Sequence, residues 1–163
     1  MNIIKLNKQQ IEEINRGIYD PTPHQNQLVE FAQKFALNSY GLNLDFSTES
    51  INDVETILAD IHKTGNVLDD ETFMTVIALR FAAYIITTLE QNTEKGEWEL
   101  YDPESGENSL PFYWRDMTLR PFMWCIKRMV NGEEDNIYAK YKTALWMSKD
   151  IKFGRLISEL PLE

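Results

Sequence analysis

Apolar residues recur at helical spacing through most of the chain. Ile11, Ile14 and Ile18 stand at i, i+3 and i+7, which predicts a short helix over residues 6–18, with Gly17 near its end and Pro21 and Pro23 stopping it. Leu28, Phe31, Ala32, Phe35 and Ala36 form one face of a second helix, residues 24–40, and Gly41 supplies the left-handed residue that commonly ends a helix. After a short alternating stretch at 42–46, Ser50 is the expected cap of a third helix. Its apolar face is Ile51, Val54, Leu58 and Ile61, which leaves Asn52, Asp53, Glu55 and Asp60 for solvent-facing or groove-facing positions.

Gly65 closes that helix, and Asp69 or Asp70 caps a fourth that runs to about residue 91. Phe73, Met74, Val76, Ile77, Phe81, Tyr84, Ile85, Ile86 and Leu89 leave hardly any polar face, the pattern of a helix contacted on all sides. Its apolar run, 73–89, falls short of the roughly 20 residues that a membrane span needs, so neither a span nor a membrane partner is expected. Arg80 interrupts the run; always protonated, it must reach water or a carboxylate, and a structural ion pair is the expected outcome.

The period then changes. Residues 97–101, Glu-Trp-Glu-Leu-Tyr, alternate as a half-buried strand does, residues 102–108 are dense in turn formers, and 110–114 return as a second strand. Pro111 marks that strand as an edge or a bulge. Residues 117–130 read as a fifth helix with a breaker at Pro121, with Lys127 and Arg128 in its last turn. Asn131-Gly132 ends it, and Glu133, Glu134 and Asp135 open a sixth helix reaching about residue 146. Residues 147–163 lack a clear pattern and are expected to dock irregularly. With no repeat and no linker, the prediction is a single α+β domain, mainly helical, with a small antiparallel hairpin or sheet around residues 96–116.

Composition narrows the partners. At 163 residues the chain is long enough to bury a core unaided, and its 43% apolar and 12% aromatic content is too high for a disordered chain. A net charge of -10 repels phosphate backbones, which argues against direct nucleic-acid binding; the same field draws in a basic protein and speeds the encounter. Acidity also serves simple solubility. One cysteine, Cys125, permits no internal disulfide, and the N-terminal residues lack an apolar core and cleavage site of a signal peptide, so a cytoplasmic location is expected.

Sequence motifs for catalysis are missing. His24 and His62 lie on separate predicted helices with no second cysteine, which argues against zinc; Asp53, Glu55 and Asp60 could offer only a carboxylate magnesium site, and a solvated helix face accounts for them. A buried Cys125 is ordinarily inert, and no GxSxG elbow or phosphate-cradling glycine loop is present. No cofactor, metal or catalytic residue is therefore expected. What remains is an aromatic and acidic concentration: Trp98, Tyr101, Tyr113 and Trp114 among Glu104 and Glu107, with Glu133, Glu134 and Asp135 as a second acidic turn. Aromatics inside a charged rim are the composition of a protein-interface hot spot, although the same rings can pack inward beneath a solvated loop.

The second half resembles a family of small bacterial α+β domains of uncharacterised function. The resemblance rests on Phe81-Ala82-Ala83-Tyr84-Ile85, Gly96-Glu97-Trp98, Leu110-Pro111, Lys127-Arg128, the run from Asn131 to Ile137, and Tyr141, and it covers roughly residues 53–141. The family more often carries Gly where this chain has Ala82 or Ala83. The resemblance implies a shared fold and brings no chemistry with it. The expected role is a non-enzymatic acidic binding protein, an immunity- or antitoxin-like inhibitor of a basic toxin or nuclease. A second reading is a phage or mobile-element inhibitor that mimics nucleic acid before a host defence nuclease, and a third an enzyme with a pocket around Arg80 and Asp53.

Overall fold

The computed structural model describes residues 6–16, 19–65, 70–99 and 109–158, with side chains as far as residue 149. The first helix, α1 (Lys8–Asn15), opens on a reciprocal cap in which Asn7 accepts from the Gln10 amide and Gln10 returns the bond to the Asn7 amide. A single 3-10 turn at Thr22–His24 leads into α2 (Gln25–Tyr40), which ends on left-handed Gly41 as its sequence predicts.

Helix α3 (Ser50–Thr64) departs from expectation at its start. Ser50 is not the cap but the first helical residue; it is buried, and its hydroxyl bonds the Ser47 carbonyl at 2.6 Å and the Tyr84 hydroxyl at 2.6 Å. Tyr84 also accepts the Phe46 amide at 2.9 Å, so a residue with φ of +62° is held in place by a side chain from the core. At the other end of α3, Nδ1–H of His62 donates to the Met129 carbonyl at 2.9 Å.

Helix α4 (Glu71–Asn92), capped by Asp70 onto the Phe73 amide, is the centre of the fold. Every residue from Val76 to Ile86 is buried. It packs on α2 at one side and on α5 (Pro121–Asn131) at the other, while α3 packs against α5 and α6 (Ile137–Ser158). The helix is longer than its apolar run suggests: an 18-residue window has a mean hydropathy of 1.6, enough by length and composition to cross a membrane, and 67% of that window is buried inside the fold. Arg80 is buried with the rest, its guanidinium 4.8 Å from the centre of the Phe31 ring, and desolvation pulls its pKa down.

Three short strands, β1 (Glu97–Trp98), β2 (Phe112–Trp114) and β3 (Met117–Leu119), form an antiparallel sheet in the order β1-β2-β3. The third strand corrects the sequence reading, which placed Met117–Leu119 in the fifth helix; α5 begins only at Pro121, where proline suits a first helical position. Strands β2 and β3 are joined by Arg115 and Asp116 alone, at φ of +49° and +59°. Two positive φ angles in a two-residue hairpin are the mark of a type I′ turn, built here without glycine. Two further corrections fall near the end: Glu133–Asp135 is a separate 3-10 turn, and α6 runs on to Ser158 where an irregular tail was expected. The architecture is a mainly helical α+β fold around one apolar core.

Candidate functional site

Gly96 decides how β1 meets its neighbour. A Cβ there would lie 2.5 Å from the Phe112 ring and 2.5 Å from the Tyr113 carbonyl oxygen, so only glycine lets the chain pass so close. The following Trp98 is half-buried, edge-on to Phe112 at 5.5 Å, and its indole N–H donates to Oε1 of Gln25 at 3.0 Å. Nε2 of Gln25 in turn donates to Thr87 and to Oε1 of Glu90, each at 2.9 Å, and Oε2 of Glu90 accepts the Gly96 amide at 3.1 Å. The start of α2, the last turns of α4 and β1 are thereby tied through one amide and one carboxylate.

Beside this network lies a cleft of about 560 Å³ whose walls include Pro23, Asn26, Lys95, Glu97 and Trp98. An indole, the carboxylates of Glu90 and Glu97, and the Lys95 ammonium share it. Of the other aromatics singled out in the sequence, Tyr113 is 41% exposed, with its hydroxyl donating to Asp116 at 2.9 Å. Trp114 is core, 1% exposed, and the Arg115 guanidinium lies 4.7 Å from its ring centre. Strand alternation accounts for the difference, since Phe112 and Trp114 share the inward face and Tyr113 the outward one. Tyr101, Glu104 and Glu107 lie outside the described residues.

The second acidic group stands elsewhere, on the turn before α6. Glu133 and Glu134 are exposed. Asp135 is half-buried and held below the usual carboxylate range, first by a hydrogen bond from Lys140 and then by one from Asn131. Glu133 and Glu134 border another cleft, about 590 Å³, between β3, α5 and α6, lined by Met117, Leu119, Trp124, Ala144 and Met147. At its mouth Met147 is 48% exposed, and the adjoining Trp146 is 64% exposed.

Beneath that turn, Glu55 corrects another expectation. It is not on a solvated face but buried, with Oε1 2.6 Å from Nε of Arg128 and Oε2 accepting the Ile137 amide at 2.7 Å. Arg128, whose side chain is 3% exposed, reaches Glu133 as well at 3.3 Å. One carboxylate of α3 thus meets the guanidinium of α5 and the first amide of α6, where the helix dipole favours negative charge. The position could have been read from the sequence, because Glu55 is four residues after Ile51 and three before Leu58, inside the apolar stripe.

Of Arg80 and Asp53, paired in the enzyme reading, only Arg80 lines the small cavity formed with Leu6, Gln10, Tyr19, His24, Gln27, Leu28 and Phe31. Among the described residues no three His, Cys, Asp or Glu side chains converge as metal ligands. Cys125 is fully buried, and burial pushes its thiol pKa up. DTNB is therefore expected to leave the native protein unlabelled and to react with one thiol in urea; rapid labelling without denaturant would contradict that burial. No protein-family model matches the chain, and no curated protein or solved structure matches it either.

Proposed function

We propose that this protein acts by binding, without catalytic activity of its own, as an immunity- or antitoxin-like inhibitor that covers a basic surface on a toxin or nuclease in the cytoplasm. The observation that supports this reading is the cleft beside Trp98, where an aromatic wall stands next to Glu90 and Glu97. A Lys or Arg side chain suits such a cleft on two counts, cation–π contact with the indole and a charge-assisted hydrogen bond to a carboxylate. Gln25 and Glu90 are already fixed by hydrogen bonds in the free protein, which lowers the entropy lost when a partner docks. The net charge of -10 adds long-range attraction for a basic protein. The family resemblance is part of the proposal only as far as a common fold.

Affinity capture from the native host, followed by calorimetric titration of the recovered protein, tests this reading. The expected partner is basic, and its Kd rises with salt. Glu97→Lys, and separately Glu104→Lys with Glu107→Lys, are each expected to raise Kd about tenfold, which corresponds to about 1.4 kcal/mol. Binding that ignores salt and all three carboxylates sinks the reading.

A further inference from the structure

We propose that the open edge of β3 accepts an extended segment of a partner protein as a fourth strand, its apolar side chains filling the cleft against α6 and a neighbouring Lys or Arg meeting Glu133 and Glu134. This surface is separate from the Trp98 cleft and stands or falls independently of it.

The backbone supplies the first argument. Trp114 and Met117 flank the two-residue turn, and they pair across it, as do Phe112 and Leu119 two residues further on. In a hairpin of that length the flanking residues form the hydrogen-bonded pair, and the pairs alternate from there. Tyr113 and Thr118 are therefore the pair without mutual hydrogen bonds, so the amide and carbonyl of Thr118 point away from β2. Among the described residues no strand lies on that side of β3. Thr118 is also among the residues that line the cleft, so the outward donor and acceptor that the register gives it belong to a residue bordering that space.

Lining and rim define what that strand must carry. Leu119, Trp124 and Ala144 make an apolar floor below Met147, and the volume of about 590 Å³ has room for more than one large side chain. A strand pairing with Thr118 would point every second side chain to one face, which suits apolar residues at alternate positions. The charge open at the rim is negative. Among the described residues Glu134 is exposed, and Glu133 is exposed as well although Arg128 reaches it at 3.3 Å, whereas Lys140 is engaged by Asp135 and Lys142 lies 4.2 Å over the Tyr138 ring. The fitting occupant is thus a short extended segment alternating apolar and basic residues.

The test uses the full chain and a fluorescein-labelled hexapeptide, Lys-Leu-Lys-Leu-Lys-Leu, with the block isomer Leu-Leu-Leu-Lys-Lys-Lys and the acidic analogue Glu-Leu-Glu-Leu-Glu-Leu as controls. Anisotropy is expected to show binding of the alternating basic peptide, with amide shifts in nitrogen–proton correlation spectra centred on Thr118, Leu119 and Ala144. The block isomer, and the same peptide N-methylated at its central leucine, are each expected to bind about tenfold more weakly, because one loses alternation and the other a main-chain donor. Glu134→Lys is expected to cost a similar factor, while Glu30→Lys, at an exposed carboxylate of α2 that lines neither cleft, leaves binding unchanged. Equal binding of block or acidic peptides, insensitivity to N-methylation, or shifts confined to other residues would overturn the proposal. So would a dimer by light scattering together with peptide affinity that falls as the protein concentration rises.

Discussion

Replacing Glu55 by alanine is expected to lower the unfolding free energy by about 3–5 kcal/mol, the range for removing one partner of a buried ion pair. The loss exceeds that of a surface bridge because Arg128 stays behind, 3% exposed, and among the described residues the exposed and more distant Glu133 is left to answer its charge. The Ile137 amide loses its acceptor in the same step. Glu55→Gln keeps the shape and one acceptor and is expected to fall between alanine and wild type. Glu55→Leu combined with Arg128→Met is expected to regain much of the loss, since an apolar pair carries no desolvation penalty. Urea melts of the three variants and the wild type measure these differences, and hydrogen exchange at Ile137 reports whether the start of α6 loosens. An alanine variant within about 1 kcal/mol of wild type would mean that the pair contributes no more than a surface bridge.

Gly96→Ala is expected to destabilise by about 1–3 kcal/mol, the usual range for overpacking, and to distort the Trp98 cleft as well. Both close neighbours of the added methyl are hard to move: one is the carbonyl oxygen of Tyr113 in a paired strand, the other a core ring. Relief requires β1 to swing outward, and that motion stretches the bond from the Gly96 amide to Glu90. The summed emission of the four tryptophans should then shift toward that of a more exposed indole, along with the midpoint in urea. The same two measurements on Gly41→Ala separate steric contact from conformational strain, because nothing lies within 4 Å of a Cβ at that left-handed residue. A Gly96 variant with wild-type emission and midpoint would show that β1 tolerates the displacement.

The helical faces were legible because their signal is local. Ile51, Val54, Leu58 and Ile61 announce α3, and the all-round apolar run of α4 announces its central place. Strand β3 was not legible, for a chemical reason: its turn is Arg115-Asp116, without the glycine or asparagine that usually permits two positive φ angles, and three residues before a proline pass for a helix lead-in. Residues 147–158 likewise show no clear apolar stripe, yet α6 runs through them to Ser158. Of the site, Gly96 and Trp98 stood out in the sequence, whereas Gln25 did not. Its role depends on contacts to Thr87, Glu90 and Trp98, more than sixty positions away, and no short-range pattern encodes them. Trp114 carried the same surface signal as Tyr113, and only strand register told them apart.

The composition of α4 has a consequence for biosynthesis. When its last residue, Asn92, leaves the ribosome, α2 is available to shield one flank, but α5 is not complete until Asn131. At roughly 5–20 residues per second, a greasy 22-residue helix waits on the order of seconds with a flank bare. During that interval the nascent chain offers chaperones and bilayers the kind of segment they capture, and any slowing of translation across the sheet lengthens the exposure.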